Sequence, residues 1–252
     1  MKVALQLYSV RDEAEKSFEQ TLKAVSEFGY DGVEFAGLFG KTPNEVKALC
    51  EKFGLNPLSA HVSVGEMLED KNVFSDYKAA GCEFVAVPYI APDEVSSPNA
   101  RQKTISTVRT LSEKATAAGL KMLYHNHAHE FFKIDGKSFL DELYSAVPRD
   151  LLLPEFDVCW LHFAGEDPVA WLERYSDSAK VIHLKDYCLP ESSECPSFRP
   201  LGSGIMNIPA VVAAAKNIGA EWLVVEQDDP TEGERTLDEA RRSIEYLRAI
   251  GL

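Results

Sequence analysis

Short apolar runs alternate with longer amphipathic segments eight times along the 252-residue chain. Runs of this length suit buried β-strands, and the segments between them suit helices. The predicted strands are Val3–Tyr8, Gly32–Phe35, Leu58–His61, Glu83–Val87, the apolar start of Lys121–Glu130, Leu151–Asp157, Lys180–Lys185 and Trp222–Glu226. Glycines at 29, 54, 81, 119 and 219 end the preceding helices, as is usual in αβ loops. No Gly-rich dinucleotide fingerprint follows the first strand, so the pattern predicts an α/β protein with a single (β/α)8 TIM barrel domain over residues 1–252.

Four predicted helices have recognisable N-terminal signals, and one of them begins at Asn207-Ile-Pro209. Thr42 followed by Pro43 and Glu45 fits a helix start, and so does Asp167 followed by proline. Ser9, ahead of two acidic residues, predicts a cap for the first helix. Gly202-Ser-Gly204 precedes the helix that begins at Asn207, where it is either an anion-binding turn or a flexible one.

Net charge narrows the range of partners. A formal charge of −14 opposes a nucleic-acid surface, which requires an excess of lysine and arginine. The first residues run directly into a strand pattern, and no stretch has the length and apolarity of a signal peptide or membrane span. We therefore expect a cytoplasmic protein that acts on a small molecule and contacts neither nucleic acid nor membrane; a homodimer is compatible with this expectation.

The stretch Lys121–Glu130 concentrates groups that bind metals or transfer protons. It holds three of the six histidines and a glutamate directly after an apolar strand. Alternation along the strand sends His125 and His127 to one side, and Glu130 follows in the loop. The stretch therefore predicts one small volume rich in imidazole and carboxylate groups.

Polar residues also stand at the ends of most of the other predicted strands. In a TIM barrel these carboxyl ends form the active-site face. The residues concerned are Gln6, Glu34, His61, His125, His127, Asp157, His183, Lys185 and Glu226. The longest loop, about Tyr187 to Gly204, follows strand seven on the same face and is a candidate lid.

Three of these residues suggest a metal site. Asp157, His183 and Glu226 end strands six, seven and eight, and oxygen with imidazole ligands suits Mn²⁺, Mg²⁺, Co²⁺ or Zn²⁺. A carboxylate buried at the end of Leu-Val-Val also requires a cation partner. The fourth ligand is expected from strand five, where His125 has the better position and Glu130 the better charge, and the sequence leaves both open.

The chain resembles the sugar phosphate isomerase/epimerase family, the xylose isomerase-like TIM barrels, over essentially its whole length. The motifs that carry the resemblance are Gly32-Val-Glu34, Tyr124-His-Asn-His127 with Glu130-Phe131, Asp157 with Trp160, Ala164-Gly165 with Asp167-Pro168, His183-Leu-Lys-Asp186, Leu201-Gly-Ser-Gly204 and Val225-Glu226. The resemblance implies one divalent cation held by a glutamate, an aspartate, a histidine and a glutamate on strands five to eight. Three of the four ligands map onto Asp157, His183 and Glu226.

Two positions depart from the family pattern. His125 stands where many relatives have the strand-five glutamate, and Trp160 stands where epimerases of ketoses often have a histidine. An indole is better suited to stacking on a sugar face than to moving a proton.

The predicted function is therefore that of a divalent-metal-dependent enzyme acting on a sugar, keto-sugar or polyol through an enediolate. Isomerisation or epimerisation is the first reading, with dehydration or elimination open. The predicted catalytic residues are His127, Glu130, Lys185 and Glu226; the substrate-binding residues are Gln6, Glu34, His61 and Trp160; the metal ligands are His125, Glu130, Asp157, His183 and Glu226. The alternative is a carbohydrate-binding or regulatory barrel that has lost the chemistry. A metal-dependent nuclease is disfavoured by the negative charge.

Overall fold

Eight parallel strands form one sheet in the computed structural model, which describes residues 1–190 and 195–252. The strands of this sheet are β1 (Lys2–Gln6), β2 (Gly32–Phe35), β3 (Asn56–Ala60), β4 (Phe84–Val87), β5 (Lys121–His125), β6 (Leu152–Asp157), β7 (Val181–Leu184) and, after a separate hairpin of β8 (Asp186–Cys188) and β9 (Ser197–Arg199), β10 (Trp222–Val225). Their spatial order is β3-β2-β1-β10-β7-β6-β5-β4.

The two end strands of that order meet and close the barrel. An isolated parallel bridge joins His61 to Ala86, and Val62 N donates to Ala86 O at 3.0 Å. At the other end of the pair, Glu83 N donates to Leu58 O at 3.0 Å. The prediction of an eight-stranded TIM barrel is confirmed.

Helices follow the barrel strands as the periodicity predicts. They are α1 (Arg11–Phe28), α2 (Pro43–Phe53), α3 (Val64–Glu69), α4 (Val73–Ala80), α5 (Pro98–Ala117), α6 (Phe139–Ala146), α7 (Val158–Phe163), α8 (Pro168–Arg174), α9 (Ile208–Asn217) and α10 (Thr236–Ala249). None of the described helices combines the length and the apolarity needed to cross a membrane.

Three of the four predicted caps are present, including Asn207, whose side chain accepts a hydrogen bond from Ala210 N. Thr42 forms a capping box with Glu45, and the Asp167 carboxylate accepts from two backbone N–H groups of α8. The cap predicted at Ser9 is wrong, because a 3₁₀ turn precedes α1 and Val10 occupies the cap position. The Ser9 hydroxyl instead accepts a hydrogen bond from Gln227 N at 3.0 Å, linking the ends of β1 and β10.

Two apolar clusters explain why the polar residues collect at one end. The larger lies between sheet and helices, and a smaller one fills the barrel interior with residues such as Phe84, Leu123 and Val224. Because alternate residues of a strand face the interior, the next inward positions towards the carboxyl ends are polar. His125 follows Leu123 and Glu226 follows Val224 in this way. The smaller apolar cluster therefore lies directly beneath the polar groups in the barrel interior.

The loop after β7 differs from the simple turn or anion cradle considered above. Its described part carries the antiparallel hairpin of β8 and β9, whereas residues 191–194, which belong to the predicted lid, lie outside the described residues. The Asp186 carboxylate accepts hydrogen bonds from the N–H groups of Gly202, Gly204 and Met206. These donors are satisfied within the protein, so this turn is not a free phosphate cradle.

Candidate metal and catalytic site

Three histidine rings meet inside the carboxyl end of the barrel. His61 follows β3, His125 ends β5 and His183 lies on β7, and their ring centroids are 4.6 to 5.1 Å apart. His125 and His183 are buried and the side chain of His61 is 10% exposed. The closed sheet thus brings the rings of His61 and His183, which are 122 positions apart in the chain, to a centroid distance of 5.1 Å.

A carboxylate that the sequence reading missed lies among the three rings. Oε2 of Glu155 is 2.9 Å from Nε2 of His61, 3.5 Å from Nε2 of His183 and 3.6 Å from Nδ1 of His125. We call His61, His125, Glu155 and His183 the inner set; one potential ligand atom from each lies within 4.8 Å of the others. Glu155 is two residues before Asp157 in β6, so the two side chains face the same side of the strand. This alternation could have identified Glu155 from the sequence.

Four of the five residues predicted to bind the ion, all except Glu130, form a second group closer to the strand ends. We call His125, Asp157, His183 and Glu226 the outer set; it too has one potential ligand atom per residue within 4.8 Å of the others. Nδ1 of His183 lies 2.9 Å from Oε2 of Glu226, and Nε2 of His125 lies 3.7 Å from Oδ2 of Asp157.

Lys185 contacts the carboxylates of the outer set. Its Nζ lies 3.2 Å from Oδ2 of Asp157, 3.0 Å from Oε2 of Glu226 and 2.7 Å from Oδ1 of Asp228. Asp228 was also missed, although it stands two residues beyond Glu226. The ammonium group thus supplies the cation partner that buried carboxylates at this end of the barrel need.

The donor groups fit a divalent cation. Among the described residues, His125 Nδ1 and Glu155 Oε1 are buried without a hydrogen-bond partner. His183 Nε2 and Asp157 Oδ2 are also buried without a hydrogen bond, although charged groups of Glu34 and Lys185 lie 2.8 and 3.2 Å from them. Orphaned polar atoms are costly in a protein interior and commonly mark a site for an ion or water. Imidazole with carboxylate suits Zn²⁺, Mn²⁺ or Co²⁺.

Gln6 and Glu34 support the histidines and do not line the cavity. Both are buried; Gln6 Nε2 donates to Glu34 Oε2 at 2.7 Å, and Ser59 Oγ donates to Glu34 Oε1 at 2.6 Å. Oε2 of Glu34 lies 2.8 Å from His183 Nε2 and 3.1 Å from His61 Nε2. The structure therefore brings these two predicted substrate-binding residues beside the inner set.

The protonation states of these groups follow from their surroundings. Burial opposes a charge on His183, but Glu34 and Glu155 outweigh it and hold the pKa of His183 well above its usual value. Burial likewise opposes ionisation of Glu155, yet His183 and the other rings hold its pKa well below the usual range. Burial lowers the pKa of His125 to about 4. These interactions keep Glu155 ionised and His125 neutral at neutral pH.

A cavity of about 530 Å³ opens above these groups. It is lined by Tyr8, Ala36, Gly37, His61, Glu66, Pro88, Tyr89, His125, His127, Lys185, Glu226 and Asp228. Burial strongly lowers the pKa of His127, so this ring is neutral at pH 7. The cavity thus exposes imidazole, ammonium and carboxylate groups to a ligand, with exposed Tyr89 at its wall.

Two predicted site residues lie elsewhere. The Glu130 carboxylate is buried and accepts hydrogen bonds from the Tyr124 hydroxyl and from His127 N, and it belongs to neither set. The Trp160 ring packs 5.2 Å from that of His127 and 5.7 Å from those of Phe163 and Phe198, and it is not among the cavity-lining residues. Glu130 therefore positions the loop that carries His127. Trp160 packs against the His127 ring but does not line the cavity.

Comparison with known proteins agrees with this architecture. A family model described as a xylose isomerase-like TIM barrel matches residues 22–250. The inosose dehydratase of Lacticaseibacillus casei is 21% identical over 93% of this chain and 90% of that enzyme. The inosose dehydratase of Geobacillus kaustophilus is 23% identical over 67% of this chain, and the match spans 61% of that enzyme's length.

Solved structures show the same fold at low identity. A sugar phosphate isomerase/epimerase from Parabacteroides distasonis superimposes with a TM-score of 0.83 and 21% identity, over 98% of both chains. The IOLI protein, solved with a bound zinc atom, gives a TM-score of 0.77 at 15% identity over 99% of this chain and 98% of that one.

Proposed function

The chain belongs to the xylose isomerase-like TIM barrel family, and we propose that it is a divalent-metal-dependent enzyme that deprotonates a carbon next to the carbonyl of a sugar, a keto-sugar or the ketone of an oxidised polyol. One observation carries the proposal. Three imidazoles and a carboxylate, three of the four with an orphaned polar atom, lie together beside a cavity whose lining includes His61, His125, Lys185 and Glu226. The relatives named inosose dehydratase support a polyhydroxylated ketone as the substrate class.

Glu226 is proposed as the base that removes the C–H proton. Burial raises the pKa of Glu226, but Lys185 and His183 more than offset this and hold it well below its usual range, so the group is a carboxylate at neutral pH. Its position on the cavity wall gives it access to a bound ligand.

Lys185 and His127 are proposed to act at the substrate oxygens. The Lys185 ammonium, held by three carboxylates, stabilises the oxygen that gains negative charge. In isomerisation, neutral His127 moves a proton from a substrate hydroxyl to the neighbouring oxygen, and Glu226 returns its proton to carbon. In dehydration, the proton that Glu226 removes from carbon leaves with the departing hydroxyl group as water. A bound divalent ion supplies Lewis-acid polarisation of the substrate carbonyl.

Isomerisation or epimerisation is the first candidate reaction, and dehydration is the second. The two share the deprotonation step and differ in whether a hydroxyl leaves afterwards. The names of the curated relatives favour dehydration. Location in the cytoplasm and assembly as a homodimer stay predictions.

Hydrogen exchange with solvent tests the proposal. The metal-supplemented protein is incubated in D₂O with a panel of keto-sugars and inososes, and NMR follows deuterium at the carbon next to the carbonyl and any dehydrated product. We expect exchange that a chelator abolishes and that Glu226→Gln slows at least about 100-fold. Glu221→Gln, an exposed position just before β10, is the matched control and should exchange at the normal rate.

Sugar binding without exchange in any member of the panel would contradict the proposal. It would support the non-catalytic carbohydrate-binding barrel instead.

A further inference from the structure

We propose that the divalent ion binds the inner set of His61, His125, Glu155 and His183, and not the outer set that the family resemblance implies. The inference rests on the proposed function only in taking this end of the barrel to be a metal centre. It assigns two ligands, His61 and Glu155, that the sequence motifs do not provide.

The spacing of the inner set is close to that of a tetrahedral site. Nitrogen and oxygen ligands at about 2.0–2.2 Å from an ion in a tetrahedron lie roughly 3.3–3.5 Å from one another. Oε2 of Glu155 is 2.9, 3.5 and 3.6 Å from the nearest ring nitrogens of His61, His183 and His125. The ring nitrogens that complete the set lie within 4.8 Å of one another, so the four groups can gather around one ion by side-chain movement.

The orientation of the His183 ring also favours the inner set. Nδ1 of His183 pairs with Oε2 of Glu226 at 2.9 Å, whereas Nε2 makes no hydrogen bond with a described residue although Oε2 of Glu34 lies 2.8 Å from it. A histidine that binds a metal through one nitrogen commonly donates the other N–H to a carboxylate. Glu226 therefore orients His183 so that Nε2 faces the carboxylates of Glu34 and Glu155, 2.8 and 3.5 Å away, on the side of the inner set.

The distribution of charge points the same way. Within the described part of the chain, no lysine or arginine lies within 4.0 Å of Glu34 or Glu155, and their charged-group contacts are to imidazoles alone. Asp157 and Glu226 already share the buried ammonium of Lys185. A divalent ion in the outer set would be repelled by that ammonium, whereas in the inner set it offsets two buried carboxylates.

Metal content of matched variants tests the assignment without any substrate. Purified protein is stripped, equilibrated with Zn²⁺ or Mn²⁺, freed of excess ion and assayed for bound metal. We expect Glu155→Gln and His61→Asn to weaken binding at least about 1,000-fold. Asp157→Asn should stay within about 10-fold of the unmodified protein, and Glu226→Gln, which only orients a ligand, within about 100-fold. Circular dichroism confirms that each variant is folded.

A second measurement uses the unmodified protein and does not depend on variants that fold. The number of imidazole ligands on bound Cu²⁺ or Co²⁺, counted by pulsed EPR or X-ray absorption, should be three for the inner set and two for the outer set. Two imidazoles, loss of metal in Asp157→Asn with retention in Glu155→Gln, or no bound metal at all would overturn the inference. Metal in the inner set with no hydrogen exchange in any sugar would refute the proposed function and leave the site assignment standing.

Discussion

The ammonium nitrogen of Lys185 lies 2.7 Å from Oδ1 of Asp228, so a lysine at the end of β7 is anchored by a carboxylate beyond the end of β10. The same nitrogen contacts Asp157 and Glu226. One buried cation thus partners three carboxylates from two strands. Asp186, the next residue in sequence, does not pair with this lysine and accepts hydrogen bonds from the backbone N–H groups of Gly202 and Gly204.

Replacing Lys185 by methionine should destabilise the protein. The change leaves Asp157 and Glu226 buried without their cation, which costs about 3–5 kcal/mol of the free energy of unfolding at pH 7.5. Because the pKa of Glu226 is lowered in the folded protein, its contribution is present above the unfolded pKa of about 4.5 and is lost as pH falls through the folded value. The difference in free energy of unfolding between the unmodified protein and Lys185→Met, measured by urea unfolding, should therefore be larger at pH 7.5 than at pH 4.

Lys180→Met is the matched control for this variant. Lys180 stands just before β7 at the opposite end of the barrel, and we expect its loss to change stability by no more than about 0.5 kcal/mol. Equal effects of the two substitutions would contradict the role given to Lys185.

Glu130 should make stability fall as pH rises. Burial raises the pKa of Glu130 to about 8, although Tyr124 and the His127 N–H oppose this. Between about pH 4.5 and pH 8, Glu130 keeps its proton in the folded protein and releases it in the unfolded chain. The free energy of unfolding therefore decreases as the pH rises through this window. Glu130→Gln should remove that slope in chemical unfolding measured at pH 5.5, 7 and 8.5, and should leave metal content unchanged.

Glu94→Gln provides the comparison, because Glu94 accepts from Ala91 N in a similar turn but is exposed. Its pH slope should match that of the unmodified protein. A Glu130→Gln slope identical to the control would show that the buried carboxyl does not titrate as described.

Arg101 should be needed for the loops after β4 and β5. Its guanidinium is 1% exposed and donates to the carbonyl oxygens of Val95, Lys137 and Phe132 and to Glu142 Oε1. A single ammonium cannot reach all four acceptors, so Arg101→Lys should lower stability by about 2–4 kcal/mol. Hydrogen exchange should speed up in residues 131–137. Arg109→Lys, exposed on the same helix, should change stability by less than about 0.5 kcal/mol.

Tyr89 should contribute more to ligand binding than Trp160. Tyr89 is 50% exposed and lines the cavity, whereas Trp160 is absent from the lining. Loss of one stacking face is worth about 1 kcal/mol, so Tyr89→Ala should raise KM about 5-fold. Trp160→Phe should leave KM within about 2-fold. The reverse order would restore Trp160 as the sugar-stacking residue that its place after Asp157 suggested.

Much of the fold and part of the candidate site could be predicted because both depend on local patterns. Strand alternation and helix-ending glycines identified the eight barrel units, and the Thr42 and Asp167 caps lie where the sequence indicates. The cap predicted at Ser9 failed because its hydroxyl is used by Gln227, which is distant in sequence. Glu155 was missed because it precedes the strand end, although it shares an inward face with Asp157.

The sequence by itself determined which strands end in imidazole, carboxylate and ammonium groups, since the period of two along a strand and the TIM-barrel repeat decide which residues face the interior at which end. Only the tertiary structure decided which of these groups meet. It brought Glu155 among three histidines, paired Lys185 with Asp228 and not Asp186, and turned Glu130 towards Tyr124. Contacts across a closed barrel depend on register, strand tilt and rotamers over distances of about 3 Å, and no pattern within a single strand carries that information.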